Sequence, residues 1–170
     1  MPRRPRTSTT PLPPRHRSFR GRALVLLLAA LPLLFFVPST ASAQEVRLPG
    51  LQGGQLSDAD LSQGATVLVV WASWSPKCRD IVQRVNAIER RWSGRARVVT
   101  VNFQEDRSTV EDFLAGKGLR VPVFLDVDGA FSKKNAVTNL PGLLVIKDGE
   151  SAFRGKLPDD PDSILGEILG

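Results

Sequence analysis

The alternation of apolar and polar residues predicts strands and helices that follow one another from about residue 65. Residues 65–72 form an unbroken apolar run rich in β-branched side chains, which is typical of a strand covered on both faces. After Ser75-Pro76, apolar residues recur at three- and four-residue spacing as far as Trp92, which predicts one continuous helix ending near Gly94. Ser75 suits the N-cap of this helix and Pro76 its first position.

The next elements are predicted from shorter patterns. Residues 97–103 are a second buried strand, and Ser108-Thr109-Val110-Glu111 is a capping-box pattern that opens a helix. Residues 121–125 are a third strand, in which Pro122 near the start indicates an edge position or the beginning of the strand. Residues 49–64 are rich in turn residues and are predicted to be a turn-rich segment ahead of the sheet.

The C-terminal part adds a hairpin and a helix. A short helix is predicted at 131–137, and the turn Asp148-Gly149 joins a strand at 143–146 to a partner at 151–155. The last helix begins at Asp160-Pro161-Asp162. Strands that alternate with helices and end in a hairpin plus helix predict an α/β fold whose central sheet contains parallel and antiparallel strands.

The first 43 residues have the order of a secretory signal peptide. An arginine-rich segment ends at Arg22, an apolar run covers residues 23–37, and Ala41-Ser42-Ala43 follows as an A-x-A cleavage site. We expect cleavage before Gln44, one domain over 44–170, and a periplasmic or otherwise extracytoplasmic location. An uncleaved N-terminal anchor is the alternative, although the run is shorter than the about 20 residues of a membrane span.

The distribution of charge along the chain decides whether nucleic acid is a candidate partner. The formal net charge is +6, but residues 1–43 contain seven arginines and no acid, and residues 44–170 contain 16 Lys and Arg against 17 Asp and Glu. A nucleic-acid surface requires basic residues clustered on the folded domain. We therefore exclude nucleic acid and expect periplasmic or envelope proteins as partners, with the oligomeric state left open.

The scarcity of histidine and cysteine excludes several kinds of site. The single histidine, His16, lies in the leader, and Cys78 is the only cysteine. Residues 44–170 therefore have no imidazole for general-base catalysis, a Ser–His pair or a zinc site, and no internal disulfide. No metal and no cofactor are predicted.

The segment Trp71-Ala72-Ser73-Trp74-Ser75-Pro76-Lys77-Cys78 resembles the W-x-x-W-C-P-x-C active site of the TlpA/ResA-like thiol–disulfide oxidoreductases. The resemblance covers roughly residues 46–169. It implies a thioredoxin fold, with a mixed central sheet flanked by helices and the extra strand–helix insertion of that group. Leu140-Pro141 matches the family's cis-proline, which faces the active-site loop.

The resemblance also implies roles for individual residues. In the family the first cysteine attacks a substrate disulfide and the second resolves the mixed disulfide, but Ser75 stands here at the attacking position. The alternative role of Ser75 is only that of a helix cap. Cys78 is then either a buried, inert thiol or a single-thiol redox site. Glu105 matches an acid near the family's cysteines, and the equally acceptable alternative is an exposed loop acid before a helix.

Two functions remain open. The first is an exported oxidoreductase relative with a degenerate site, limited to single-thiol chemistry through Cys78 or to non-catalytic binding of envelope proteins. Its groove is expected to contain Trp74, Ser75, Pro76, Leu140 and Pro141. The second is a thiol peroxidase, because Ser75-Pro76-Lys77-Cys78 also resembles the T/S-P-x-C of peroxiredoxins. Those proteins have a proline four residues before the Thr or Ser, where this chain has Trp71.

Overall fold

The computed structural model describes residues 45–170, which form seven strands and five α-helices. In chain order the elements are β1 (Arg47–Pro49), β2 (Gln55–Ser57), α1 (Asp58–Leu61), β3 (Ala65–Trp71), a 3₁₀ turn (Pro76–Cys78), α2 (Ile81–Trp92), β4 (Arg97–Phe103), α3 (Arg107–Leu114), β5 (Val123–Asp126), α4 (Ala130–Lys134), β6 (Gly142–Lys147), β7 (Glu150–Lys156) and α5 (Asp162–Leu169). None of the helices among these residues is both long enough and apolar enough to span a membrane.

A five-stranded sheet in the order β5-β4-β3-β6-β7 organises the domain. β3 pairs in parallel with β4, which pairs in parallel with β5, whereas β6 is antiparallel to both β3 and β7. The mixed central sheet predicted from the sequence is therefore confirmed. Pro122 directly precedes the edge strand β5, as its position in the pattern indicated.

The central strand β3 is covered on both faces, as its apolar run predicted. Val67, Val69 and Trp71 belong to a core cluster that also contains residues of α2 and α5. Leu68 and Val70 belong to a second cluster with residues of β2 and α4. Because successive side chains point to opposite faces of a strand, the two cores are separated by the sheet.

The turn-rich segment at 49–64 is more regular than predicted. β1 and β2 form an antiparallel two-stranded sheet, and α1 follows directly. Ser57 accepts a hydrogen bond from the Asp60 N–H, and the Asp60 carboxylate accepts one from the Ser57 N–H, so the two residues form a capping box. Three-residue strands are too short to give a recognisable alternation of apolar and polar residues, which explains why β1 and β2 were not predicted.

The continuous helix predicted after Ser75 is wrong. A 3₁₀ turn at Pro76–Cys78 is followed by Asp80 with φ −100° and ψ 14°, and α2 begins only at Ile81. Cys78 and Ile81 are both buried. The apolar spacing therefore continues across the break, so periodicity alone did not reveal it.

The predicted start of the next helix is also wrong. Asp106, not Ser108, is the N-cap of α3, and its carboxylate accepts a hydrogen bond from the Thr109 N–H at 2.8 Å. Asp106 has extended backbone (φ −77°, ψ 163°), whereas Ser108 already lies inside the helix. The segment between β4 and β6 contains α3, β5 and α4, and its correspondence to the insertion of the TlpA/ResA-like group stays a prediction.

Candidate functional site

The candidate site begins where β3 ends at Trp71. The chain then makes a tight turn, in which the Ser75 N–H donates to the Ala72 carbonyl at 3.3 Å and the Cys78 N–H donates to the Ser75 carbonyl at 2.9 Å. β3 and β4 are parallel, so their carboxyl ends lie at the same edge of the sheet. Residues that follow β4 are therefore close to this turn.

Ser75 occupies the N-cap position of the 3₁₀ turn, with φ −79° and ψ 120°, but its side chain accepts no hydrogen bond from the turn. The interpretation that the hydroxyl acts as a helix cap is therefore wrong. The residue is 6% exposed. It lines a surface groove instead, together with Trp74 and Pro76.

Cys78 has no exposed surface (0%) and belongs to the same core cluster as Trp71 and Ile81. Its neighbours in sequence, Lys77 and Arg79, are both exposed. The thiol is a free cysteine that packs as a small apolar group. Burial favours the inert thiol over the single-thiol redox site.

Glu105 is only 8% exposed, so the alternative of an exposed loop acid is wrong. Its Oε2 accepts hydrogen bonds from the Ser73 N–H at 2.7 Å and from the Asn102 side-chain amide at 2.6 Å. Its Oε1 accepts a third from the Ser73 hydroxyl. These bonds compensate for burying a carboxylate, and they tie the turn before Ser75 to the end of β4.

A groove of about 370 Å³ lies at the surface of the turn. It is lined by Trp74, Ser75, Pro76, Lys77, Thr138 and Leu140. Trp74 is 61% exposed, which makes it one of two large apolar side chains exposed to this degree among the described residues. The structure thus brings together four of the predicted groove residues, and it adds Lys77 and Thr138, which were not predicted to line the groove.

Pro141, which was expected to belong to the groove, does not line it. The Leu140–Pro141 peptide bond is cis, and Pro141 is buried. Its carbonyl accepts the Leu157 N–H at 2.9 Å. Leu140, one residue earlier, provides the wall that faces the groove.

Comparison with known proteins identifies the family, since the redoxin family model matches residues 38–163. The chain belongs to the redoxin family. It is 25% identical over 139 residues to sporulation thiol-disulfide oxidoreductase A of Bacillus subtilis, an alignment that covers 75% of this chain and 84% of that protein. It is 35% identical over 104 residues to the thiol:disulfide interchange protein DsbE of Escherichia coli, covering 59% of this chain and 54% of that protein.

The fold of this redoxin is also found in solved structures. The exposed lipoprotein thioredoxin of Streptococcus pneumoniae superposes with a TM-score of 0.64 at 20% identity, covering 73% of this chain and 97% of that one. The thioredoxin fold and the relationship to thiol–disulfide oxidoreductases, both expected from the sequence, are therefore confirmed.

The site of this redoxin presents the indole of Trp74 and the ammonium group of Lys77 to solvent, the mostly buried Ser75, between them in sequence, lines the groove, and the sulfur of Cys78 lies in the core. Among residues 45–170, no three His, Cys, Asp or Glu side chains are grouped closely enough to hold a metal ion. Thiol–disulfide exchange begins with a thiolate that reaches the substrate's sulfur. The Cys78 sulfur, at 0% exposure, does not reach the surface of the groove.

Proposed function

We propose that this redoxin is an exported protein that binds extended segments of other extracytoplasmic proteins and does not exchange disulfides with them. The observation that carries the proposal is the complete burial of Cys78, together with an oxygen at Ser75, the groove-lining position where a reactive sulfur would be needed.

The chemistry of Ser75 supports the non-catalytic reading. A serine hydroxyl is un-ionised near neutral pH and forms no stable bond to sulfur, whereas the thiolate is the nucleophile in disulfide exchange. A dithiol cycle needs two sulfurs that alternate between thiol and disulfide. This chain has one cysteine, so a complete two-electron dithiol cycle within the chain is unavailable.

The chemistry of the groove supports binding. The exposed Trp74 offers a large, rigid apolar surface at low conformational-entropy cost, a property that makes tryptophan frequent at binding sites. Leu140 and Pro76 extend this apolar surface, and Lys77 adds a positive charge. Burial of apolar side chains against this surface would offset the conformational freedom that an extended segment loses on binding.

The leader supports export. Its basic segment, apolar run and Ala41-Ser42-Ala43 have the order that secretory signals require, and the pneumococcal relative is described as an exposed lipoprotein. In this proposal residues 1–43 are the signal peptide and 44–170 are the mature domain.

The direct test is the accessibility of Cys78 to a thiol reagent. We expect a maleimide to label native protein at least about a hundredfold more slowly than denatured protein, because a buried thiol reacts only through local opening. Native labelling within a few-fold of the denatured rate would contradict the proposal. If peroxide also converted that accessible thiol to a sulfenic acid, the peroxidase function would replace it.

A further inference from the structure

A second, smaller pocket of about 160 Å³ adjoins the groove. It is lined by Phe103, Ser132, Val137, Thr138, Asn139 and Leu140. Thr138 and Leu140 line both cavities, so the two share a wall. We call this cavity the Ser132 pocket.

Ser132 is one of three residues in the described part of the chain, with Trp71 and Asn102, that have a buried side-chain polar atom without a hydrogen-bond partner, and it is the one of the three that lines this pocket. The residue is 3% exposed, and its Oγ has no hydrogen-bond partner among residues 45–170. Folded proteins rarely leave a buried polar side chain unsatisfied, because the group has lost its hydration without compensation. A partner that arrives on binding would satisfy it.

The backbone at Ser132 does not require a hydroxyl. The Asp126 carboxylate accepts the Phe131 N–H at 3.0 Å and the Ser132 N–H at 2.9 Å, and so satisfies the start of α4 from outside the helix. Alanine would meet the same backbone requirement and is the better helix former. Capping or helix formation therefore does not explain the serine.

We propose that the Ser132 pocket is a specificity subsite, which takes a small side chain with a hydrogen-bonding tip from the peptide segment bound in the groove. The inference rests on the proposed function. In an extended chain, side chains two residues apart lie on the same face, about 6–7 Å from each other, which suits two cavities that share a wall. Phe103, Val137 and Leu140 would pack against the body of the side chain and Ser132 would bond its tip.

A charged residue in the lining indicates a second contact with the bound segment, in addition to the one made by Ser132. Lys77 is the only charged residue among those that line either cavity, and no acid opposes it there. The occupant is therefore an extended protein segment that has a carboxylate near Lys77 and, two residues away, a Thr, Ser or Asn in the Ser132 pocket.

The test is a positional-scanning library of fluorescein-labelled synthetic hexapeptides, whose binding to the purified protein is followed by fluorescence polarisation. We expect selection of Asp or Glu at one position and of Thr, Ser or Asn two positions away. Ser132→Ala is expected to reduce the preference for the polar residue about five- to tenfold, the effect of one hydrogen bond, while the acidic preference stays. Lys77→Gln is expected to have the converse effect.

Ser151→Ala serves as the matched control, because Ser151 is an exposed serine near the opposite end of the sheet, on β7. It should change neither preference. If Ser132→Ala retained the full selection for the polar residue, the subsite would be refuted while the proposed function stood. If the unmodified protein bound no peptide of the library, the proposed function and the subsite would fail together.

Discussion

Ser75 and Cys78 lie at the two ends of one 3₁₀ turn, and their side chains meet different surroundings. Ser75 lines the groove, whereas Cys78 lies in the core. The pair is joined through the Cys78 N–H and the Ser75 carbonyl at 2.9 Å. Changing one atom at residue 75 therefore tests whether the surrounding scaffold still supports the chemistry of its relatives.

We predict that Ser75→Cys gains thiol–disulfide exchange activity. The new thiol would lie at the start of a helical turn, which favours the thiolate, and Cys78 would then act as the resolving thiol. The expected result is dithiothreitol-driven insulin reduction at least about tenfold above that of the unmodified chain. Ser93→Cys is the control, because Ser93 is exposed at the end of α2. A folded Ser75→Cys variant no more active than this control would show that the groove itself has diverged.

A second prediction concerns Glu105. Its substitution by glutamine or by alanine distinguishes the contribution of the side chain's hydrogen bonds from that of its negative charge. A glutamine can keep one oxygen for the Ser73 N–H and the Asn102 amide, and its NH₂ can donate to the Ser73 hydroxyl, since a hydroxyl both donates and accepts. We expect Glu105→Gln to lower the free energy of unfolding by less than about 1 kcal/mol. Glu105→Ala leaves buried donors without an acceptor and is expected to lower it by about 2–4 kcal/mol.

Urea unfolding of both Glu105 variants measures these costs. Glu111→Gln and Glu111→Ala are matched controls, because Glu111 is an exposed acid on α3. Equal losses from Glu105→Gln and Glu105→Ala would mean that the negative charge, rather than the hydrogen-bond geometry, holds the turn.

At the scale of elements, α3 depends on a capping carboxylate whose protonation state matters. The Thr109 N–H and the Ser108 hydroxyl both donate to Asp106 and lower the pKa of its carboxyl group. A carboxylate with a lower pKa in the folded than in the unfolded protein stabilises the fold above the unfolded value, about 3.9. That contribution is lost as the pH falls through the folded-state pKa.

We therefore predict that Asp106→Asn flattens the pH dependence of stability below about pH 4, because asparagine still caps the helix but does not titrate there. The urea midpoint measured from pH 2.5 to 6 tests this. Asp112→Asn is the control, because Asp112 is exposed in the same helix and does not cap it. Curves of identical slope for the Asp106 variant and the unmodified protein would contradict the prediction.

For the whole molecule, the parts that the sequence predicted correctly are those with a local pattern. Apolar runs marked β3, β4, β5 and β6 because these strands are buried, and turn residues marked the hairpin that leads to the largely exposed β7. The contacts of Glu105 had no such pattern, since Ser73 lies 32 residues away in the chain. Ser132 and Thr138 were missed for the same reason: only the folded chain brings Thr138 to the groove and Ser132 to the pocket that adjoins it.

The last prediction concerns where the leader is cleaved relative to the first strand of the domain. β1 begins at Arg47, and its buried Leu48 pairs with Leu56 of β2. Cleavage before Gln44 would therefore leave this two-stranded sheet complete. We expect the protein secreted from a bacterial host to begin at Gln44 by intact mass spectrometry. Ala43→Arg, which removes the small residue that signal cleavage requires, should retain the leader and move the protein to the membrane fraction. An intact leader on the unmodified protein would instead favour the N-terminal anchor, and the groove would then act at the membrane surface.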